Sequence, residues 1–465
     1  MATDIKDFIV TIDLGSSKVT AVAGVKQPDG AIKVLGFYQE PSSPFIRKGR
    51  ISNIDKMTQC AKNIKEALEK RCKKSITKAY VGVGGMGMHT VSNTLSRAFS
   101  EKHAISQEIV DSLYDENHQK TVGDRNILEV IPQEYKVGTQ YTNEPVGAFT
   151  DNIEVCYHNI VANLQSIEQI RKCFNSAGIT VIETPITVLQ TADLMLNEHE
   201  KRSGCVFIDM GAETTTVAIF KNNVLRHFAA IPLGGANITR DIMSLQLEED
   251  EAETLKIRHG QAQQQPGNST PITSSDGRKF EAEQFANIIE ARVEEIVLNI
   301  KHQVDLSKYK NNQLIGGIII TGGASNLKGI EDVVKRILGL EKSRVAKNAR
   351  VQIRGERLDS MSTEIYAAAL ALFEGADQNC CGGELGEEQP DLFSTEQVQE
   401  PAEQPTPAAP TDNTTETITP QKPEEAETTE EAEPTDEPEQ PRKKGGFLKL
   451  MKNTFTKIGD MLSDD

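Results

Sequence analysis

Ile9-Val10-Thr11-Ile12-Asp13-Leu14-Gly15-Ser16-Ser17-Lys18-Val19-Thr20-Ala21-Val22-Ala23-Gly24 begins the chain's first apolar region. Its plan returns in Cys205-Val206-Phe207-Ile208-Asp209-Met210-Gly211-Ala212-Glu213-Thr214-Thr215-Thr216-Val217-Ala218-Ile219-Phe220. Each copy is an apolar run, an Asp-x-Gly, a polar turn with hydroxyls and a second apolar run, which is the pattern of a β-hairpin. Backbone N–H groups and hydroxyls in such a turn can cradle phosphate, and the carboxylate just before it can face Mg²⁺. One Asp-x-Gly turn would mean little, because similar turns join many ordinary hairpins. Two copies, about 195 residues apart, amount to an internal duplication and predict two related halves.

A third glycine-rich element, Ile318-Ile319-Ile320-Thr321-Gly322-Gly323-Ala324-Ser325, reads as a buried strand ending in a Gly-Gly turn before a helix from Lys328 to Leu338. Glycines there let the backbone approach a flat ligand closely. Between the hairpins, Met57, Cys60, Ala61, Ile64, Ala67, Leu68 and Cys72 recur at helical spacing, and Ala79 to Gly85 is an apolar strand. Together with the strand Ile32 to Phe37 they predict an α/β layer. From Met86 to Ala162 the character changes to alternating strands around a helix opened by Ser106, a small inserted α+β unit. A capping box at Ser166 to Gln169 and the pair Thr184-Pro185 predict the starts of two further helices. A glutamate-rich helix with Glu253 and Lys256, a Gln/Ser/Pro-rich loop and a long helix from Glu281 to Leu306, with Phe285, Ile288, Ile289, Val293, Ile296, Val297, Ile300 and Val304 on one apolar stripe, form a second inserted unit.

Charge divides the chain. The net charge is -17, yet Asp377 to Pro441 holds 19 acidic residues and one lysine, and Arg442 to Asp465 holds six basic and three acidic residues. The remainder is about -2, which argues against duplex nucleic acid as a partner of the body. Seven cysteines without CxxC spacing fit a reducing compartment better than a disulfide frame or zinc site. With no signal-peptide pattern and no run of 18 apolar residues, the expectation is a chain neither secreted nor membrane-spanning. Residues 377–441, rich in Glu, Pro, Thr and Gln, predict a disordered acidic tether. After it, Phe447, Leu448, Met451, Phe455, Ile458 and Leu462 share one helical face, with Leu450 and Met461 at its margins and Lys449, Lys452 and Lys457 beside or opposite it. That segment is too short to span a bilayer and suits an interfacial anchor on anionic lipid.

The two Asp-x-Gly hairpins followed by strand-Thr-Gly-Gly-helix resemble the two phosphate motifs and the adenosine motif of the actin/Hsp70/sugar-kinase superfamily. Within it, Val130-Ile131-Pro132-Gln133-Glu134-Tyr135, Asn143-Glu144-Pro145-Val146-Gly147 and Ala252-Glu253-Thr254-Leu255-Lys256-Ile257-Arg258-His259-Gly260 are similar to the FtsA family of bacterial cell-division proteins. The resemblance implies a duplicated actin-like (ribonuclease H-like) α/β ATPase fold. Its subdomains would be 1A at 1–85, completed by 163–203 and 358–376; 1C at 86–162; 2A at 204–245, completed by 309–357; and 2B at 246–308. It implies ATP between the halves, with Mg²⁺ near Asp13 and Asp209, held through water. Phosphates would lie on Gly15, Ser16, Ser17, Lys18, Gly211, Thr214 and Thr215, and Glu253, Lys256, Gly322 and Gly323 would line the adenosine side.

It further implies a protein on the cytoplasmic face of the membrane at the division site, which tethers filaments of the tubulin-like FtsZ through subdomain 2B, associates with itself and meets other division proteins. One departure stands out. Relatives commonly read Asp-x-Gly-Gly-Gly-Thr where this chain has Asp209-Met210-Gly211-Ala212-Glu213-Thr214, and a glutamate beside a triphosphate repels it unless it points away. Weak or slow ATPase activity is therefore expected, and no residue stands out as a catalytic base. The alternatives are a sugar or small-molecule kinase of the same superfamily and a DnaK-type peptide-binding ATPase. The first needs a base and has no use for a basic amphipathic tail, and the second needs a β-rich domain after residue 376.

Overall fold

The computed structural model describes residues 8–120, 122–123, 125–263, 271–346, 350–355 and 366–384. The acidic segment from residue 385 onward, the amphipathic segment 442–465 with all its lipid-facing candidates, and residues 358–365 lie outside the described residues.

The first half begins with β1 (Phe8–Leu14), β2 (Lys18–Lys26) and β3 (Ile32–Pro41), an antiparallel meander. β1 is buried at every position but Asp13, as expected of a strand covered on both faces. A short arch follows, β4 (Ile46–Arg47) and β5 (Arg50–Ile51). Asn53 then caps α1 (Ile54–Cys72) by accepting from the Lys56 N–H, and α1 buries Met57, Cys60, Ala61, Ile64 and Leu68. After β6 (Lys74–Ile76), β7 (Lys78–Gly82) joins β1 in parallel.

The inserted unit comprises β8 (His89–Ala104), α2 (Gln107–His118), β9 (Arg125–Val137), β10 (Gln140–Thr142) and β11 (Phe149–Asn163). The chain then returns through α3 (Leu164–Ser176), β12 (Thr180–Val181), α4 (Thr187–Met195) and α5 (Glu198–Ser203). Two of these helices start elsewhere than the sequence predicts. Asn163 at the end of β11 caps α3, ahead of Ser166. Residues Glu183 and Pro185 accept from the Val81 and Val83 N–H groups, and this pairing with the β7 segment keeps them extended. Helix α4 therefore waits until Thr187 and has no side-chain cap.

The second half repeats the plan with β13 (Cys205–Met210), β14 (Thr215–Lys221), β15 (Val224–Ile231), α6 (Gly235–Ile242), α7 (Glu249–His259), β16 (Ile272–Thr273), β17 (Lys279–Phe280), α8 (Ala282–Leu306), β18 (Gly317–Thr321), α9 (Ile330–Leu338) and β19 (Ser343–Val345). Helix α8 buries Phe285, Ile289, Val293, Ile296, Val297, Ile300 and Val304, the stripe its periodicity predicts apart from Ile288, which is half-buried. The Gly322-Gly323 turn runs into a 3₁₀ turn before α9. The chain closes with β20 (Ile353–Arg354), α10 (Ala367–Gly375) and β21 (Cys381–Glu384).

Topology makes the duplication explicit. One sheet runs β12-β7-β1-β2-β3-β20 and the other β10-β9-β11-β8-β15-β14-β13-β18-β19, so β3-β2-β1-β7-β12 of the first half corresponds to β15-β14-β13-β18-β19 of the second. Helices α4 and α10 pack together, and buried alanines on α10, Ala367, Ala369 and Ala371, permit a close approach. Thr11 Oγ1 donates to the Ala369 carbonyl at 2.7 Å, fastening α10 to β1.

The structure corrects the start of the linker. Residues 377–384 are folded: Tyr80 Oη donates to Asp377 Oδ1 at 3.1 Å, the Cys380 N–H donates to the Phe8 carbonyl at 2.8 Å, and β21 pairs antiparallel with β6. Cys380 is fully buried. All seven cysteines are free thiols, and no helix among the described residues is long and apolar enough to cross a membrane.

Candidate functional site

Asp13 and Asp209 occupy equivalent positions. Each is the next-to-last residue of its strand, paired across the hairpin with Thr20 and Thr216 respectively. Leu14 opposite Val19 and Met210 opposite Thr215 close two loops of the same length, which makes Glu213 the counterpart of Ser17. Burial, reinforced by the charge of Asp209, pushes the Asp13 carboxyl up to about 7, against a hydrogen bond from Thr187 and the charge of Lys18. Burial likewise raises Asp209 to about 6, and it lowers Lys18 despite the opposing pull of Asp13. Two half-buried carboxylates, the first raised by the charge of the second, form a hard-oxygen donor set that a divalent cation would neutralise, so these residues fit Mg²⁺.

The adenosine-side candidates also converge. Lys256 Nζ lies 2.6 Å from Glu253 Oε2 and donates to Thr239 Oγ1 at 2.8 Å and to the Gly235 carbonyl at 3.1 Å. Thr239 in turn donates to Glu253 at 2.5 Å. Gly322 has φ +90°, and a Cβ there would stand 2.4 Å from Asp209 Oδ1. Only glycine therefore lets that turn close beside the acid. A Cβ on Gly323 would meet nothing within 4 Å, which leaves open space above it.

Three expectations change. Thr215 is fully buried and donates its hydroxyl to the Leu233 carbonyl at 2.8 Å, so its side chain is not free to meet phosphate. Ser16 Oγ already accepts the Gly49 N–H at 2.9 Å. Glu213 turns from its own loop to the first half, where its carboxylate accepts the Lys48 N–H at 2.6 Å and meets Arg47 at 3.1 Å. Ser17 is exposed, whereas Gly15, Lys18, Gly211 and Thr214 are half-buried.

Sequence reasoning missed Thr187, Thr239 and the pair Gly234-Gly235. The Gly235 and Ala236 N–H groups donate to the Gly211 and Ala212 carbonyls at 3.0 and 2.7 Å, strapping α6 to the second hairpin. A Cβ on Gly234 would lie 2.6 Å from both carbonyl oxygens. A Gly-Gly pair between a strand and a helix, matching Gly322-Gly323, was the available signal.

Comparison with known proteins agrees with this architecture. Residues 206–371 match the family model described as "Cell division protein FtsA", and residues 85–161 match "SHS2 domain inserted in FTSA". A cell-division protein FtsA from Porphyromonas gingivalis is 28% identical over 382 residues, covering 79% of this chain and 78% of the relative. One from Escherichia coli is 24% identical over 397 residues, covering 82% and 93%. Among solved structures, a PilM-PilN type IV pilus biogenesis complex aligns with TM-score 0.53 and 14% identity over 80% of this chain and 98% of that one, a likeness of fold alone. Two family models that together cover more than half the residues, and relatives spanning most of the body, show that this actin-like chain belongs to the FtsA family of bacterial cell-division proteins.

Proposed function

We propose that the chain is an ATP-binding adaptor that attaches FtsZ filaments to the cytoplasmic face of the membrane at the division site. The observation that carries the nucleotide assignment is the pair of equivalent hairpins with mutually repelling acids, Asp13 and Asp209. ATP would lie between the halves, its phosphates on the turns at Gly15 to Lys18 and Gly211 to Thr214. Gly322, Gly323, Glu253 and Lys256 would border the base and ribose. Mg²⁺, held by Asp13 and Asp209 through its waters, would supply charge neutralisation of the phosphates. Lys18 would add a cation on the first turn. With Glu213 engaged by Arg47 and Lys48 and no general base evident among the described residues, hydrolysis is slow on this reading, and turnover at ordinary kinase rates would overturn it.

FtsZ would dock on the second inserted unit, where an open cleft is lined by Ser244, Glu281, Gln284, Asn287, Ile288 and Ala291. The basic amphipathic segment 442–465 would bind anionic lipid, and self-association would raise attachment by avidity, since one short helix binds reversibly. The test is co-sedimentation of the full chain on anionic liposomes with and without ATP and FtsZ, beside a truncation at Gly446. Recruitment of FtsZ only with the full chain is expected. If liposomes hold the truncation as well as the full chain, or if FtsZ stays in solution with both, the adaptor reading fails.

A further inference from the structure

The turn between β4 and β5 touches three parts of the molecule at once. Lys48 has φ +49° and Gly49 φ +74°, the two successive left-handed residues of a type I′ hairpin turn. A lysine in that region is uncommon and persists where surrounding contacts determine it. Its N–H donates to Glu213 Oε2 at 2.6 Å, with Arg47 Nη1 3.1 Å from Glu213 Oε1. Its carbonyl accepts the Met86 N–H at 2.9 Å, at the stem of the inserted unit. The next N–H, from Gly49, donates to Ser16 Oγ on the first phosphate turn at 2.9 Å. A second cation, Arg240 on α6, stands 3.9 Å from Glu213, whose side chain is only 8% exposed.

We propose that the Arg47–Arg50 turn is a bracket that fixes the span between the two phosphate hairpins, with Glu213 as the positioning residue fastening the second half to it. On this inference, which rests on the ATP assignment for its effect on affinity, Glu213 tightens nucleotide binding. The opposite expectation, repulsion of phosphate by a glutamate in the turn, loses force because Arg47 and Arg240 compensate the charge and the carboxylate is committed to the Lys48 N–H. Releasing a buried carboxylate from such donors leaves both sides unpaired, so the halves resist separation at this point. Asp13 and Asp209 are then held at a working distance before ligand arrives, which reduces the ordering that binding must do.

The test compares the full chain with Glu213→Ala, Glu213→Gln, Arg47→Ala and the Arg47→Ala/Glu213→Ala double variant. Two quantities are measured: Mg·ATP affinity, and amide hydrogen exchange at Lys48 and Gly49 without nucleotide. Protection retained in β1 and β13 certifies each variant as folded, and Arg47→Ala carries the test if Glu213→Ala does not fold. We expect Glu213→Ala and Arg47→Ala each to weaken ATP binding about tenfold, the double variant to be no worse than the poorer single, and Glu213→Gln, which keeps an acceptor for Lys48, to lose less. Exchange at both amides should accelerate in Glu213→Ala, although only Lys48 bonds to it directly. Tighter ATP binding in Glu213→Ala, additive losses in the double variant, or Lys48 and Gly49 exchange unchanged from wild type would overturn the bracket. If the wild type binds no ATP, the nucleotide assignment falls, and the exchange measurement alone decides the bracket.

Discussion

Thr187 Oγ1 donates to Asp13 Oδ1 at 3.2 Å, across 174 residues of sequence. Thr187 is the first residue of α4, so the start of a helix orients the acid of a distant hairpin. Thr187→Val keeps the shape and removes the donor. Mg·ATP affinity should fall about tenfold or more, the worth of one hydrogen bond to a charged group. Asp13→Ala should lose considerably more, while the lipid affinity of either full-length variant, measured without ATP, should match wild type. Isothermal titration and liposome sedimentation check the two arms.

Neighbouring glycines should respond differently. Gly322→Ala combines a positive φ with a Cβ that would lie 2.4 Å from Asp209 Oδ1, so we expect a loss of about 2 kcal/mol or more in stability together with lost nucleotide binding. Gly323→Ala faces open space and should leave the denaturation midpoint unchanged, yet weaken nucleotide binding if the base lies above it. Equal denaturation midpoints for the two variants would contradict the geometry.

Glu129 on β9 gives a pH dependence. Burial, then the charges of Glu183 and Asp193, push its carboxyl from the usual 4.5 up to about 7. A carboxyl raised in the folded state favours folding while it stays protonated, and that contribution is lost as pH climbs from about 4.5 through about 7. Partial exposure reduces the full effect, leaving about 1–2 kcal/mol. Glu129→Gln should therefore stabilise the protein at pH 8 and do little at pH 4.5, as thermal melts at the two pH values would show. Stabilisation of equal size at both would refute the assignment.

Folding of residues 377–384 predicts that a chain ending at residue 384 melts like the full-length body, whereas one ending at 376 is weakened. Loss of the buried Cys380, its N–H bond to Phe8 and the β21 pairing should cost about 2–4 kcal/mol. Chemical denaturation of the two truncations decides it.

The hairpins were legible because β-branched runs buried on both faces are written into consecutive residues, and the Asp-x-Gly turns interrupt them visibly. The stripes of α1 and α8 were legible for the same local reason. What escaped depends on distant partners. Thr184-Pro185 carries a sound local signal for a helix start, but pairing with the β7 segment overrides it. Glu213 read as a repulsive charge because its partners, Arg47 and Lys48, lie about 165 residues away. The Cys380-Cys381-Gly382-Gly383 segment has neither alternation nor β-branched residues, so nothing local marks it as a strand; its pairing with β6 supplies the order.

The inserted unit belongs by sequence to the first half but continues the sheet of the second. Ala229 pairs with His89, the Ala230 N–H donates to the Met88 carbonyl at 2.9 Å, and Gln133 bonds both the Leu225 carbonyl at 3.0 Å and Arg226 at 3.1 Å. Mechanically this is the arm of a crank: a turn of the second half would act at β8, and β10 is three strand spacings farther out, about 14 Å. A rotation of about 10° at that seam would sweep the outer strand by roughly 2–3 Å, converting a small turn between the halves into displacement of a remote edge. Spin labels on β10 and β2 whose separation is the same with and without ATP would show that the crank does not turn.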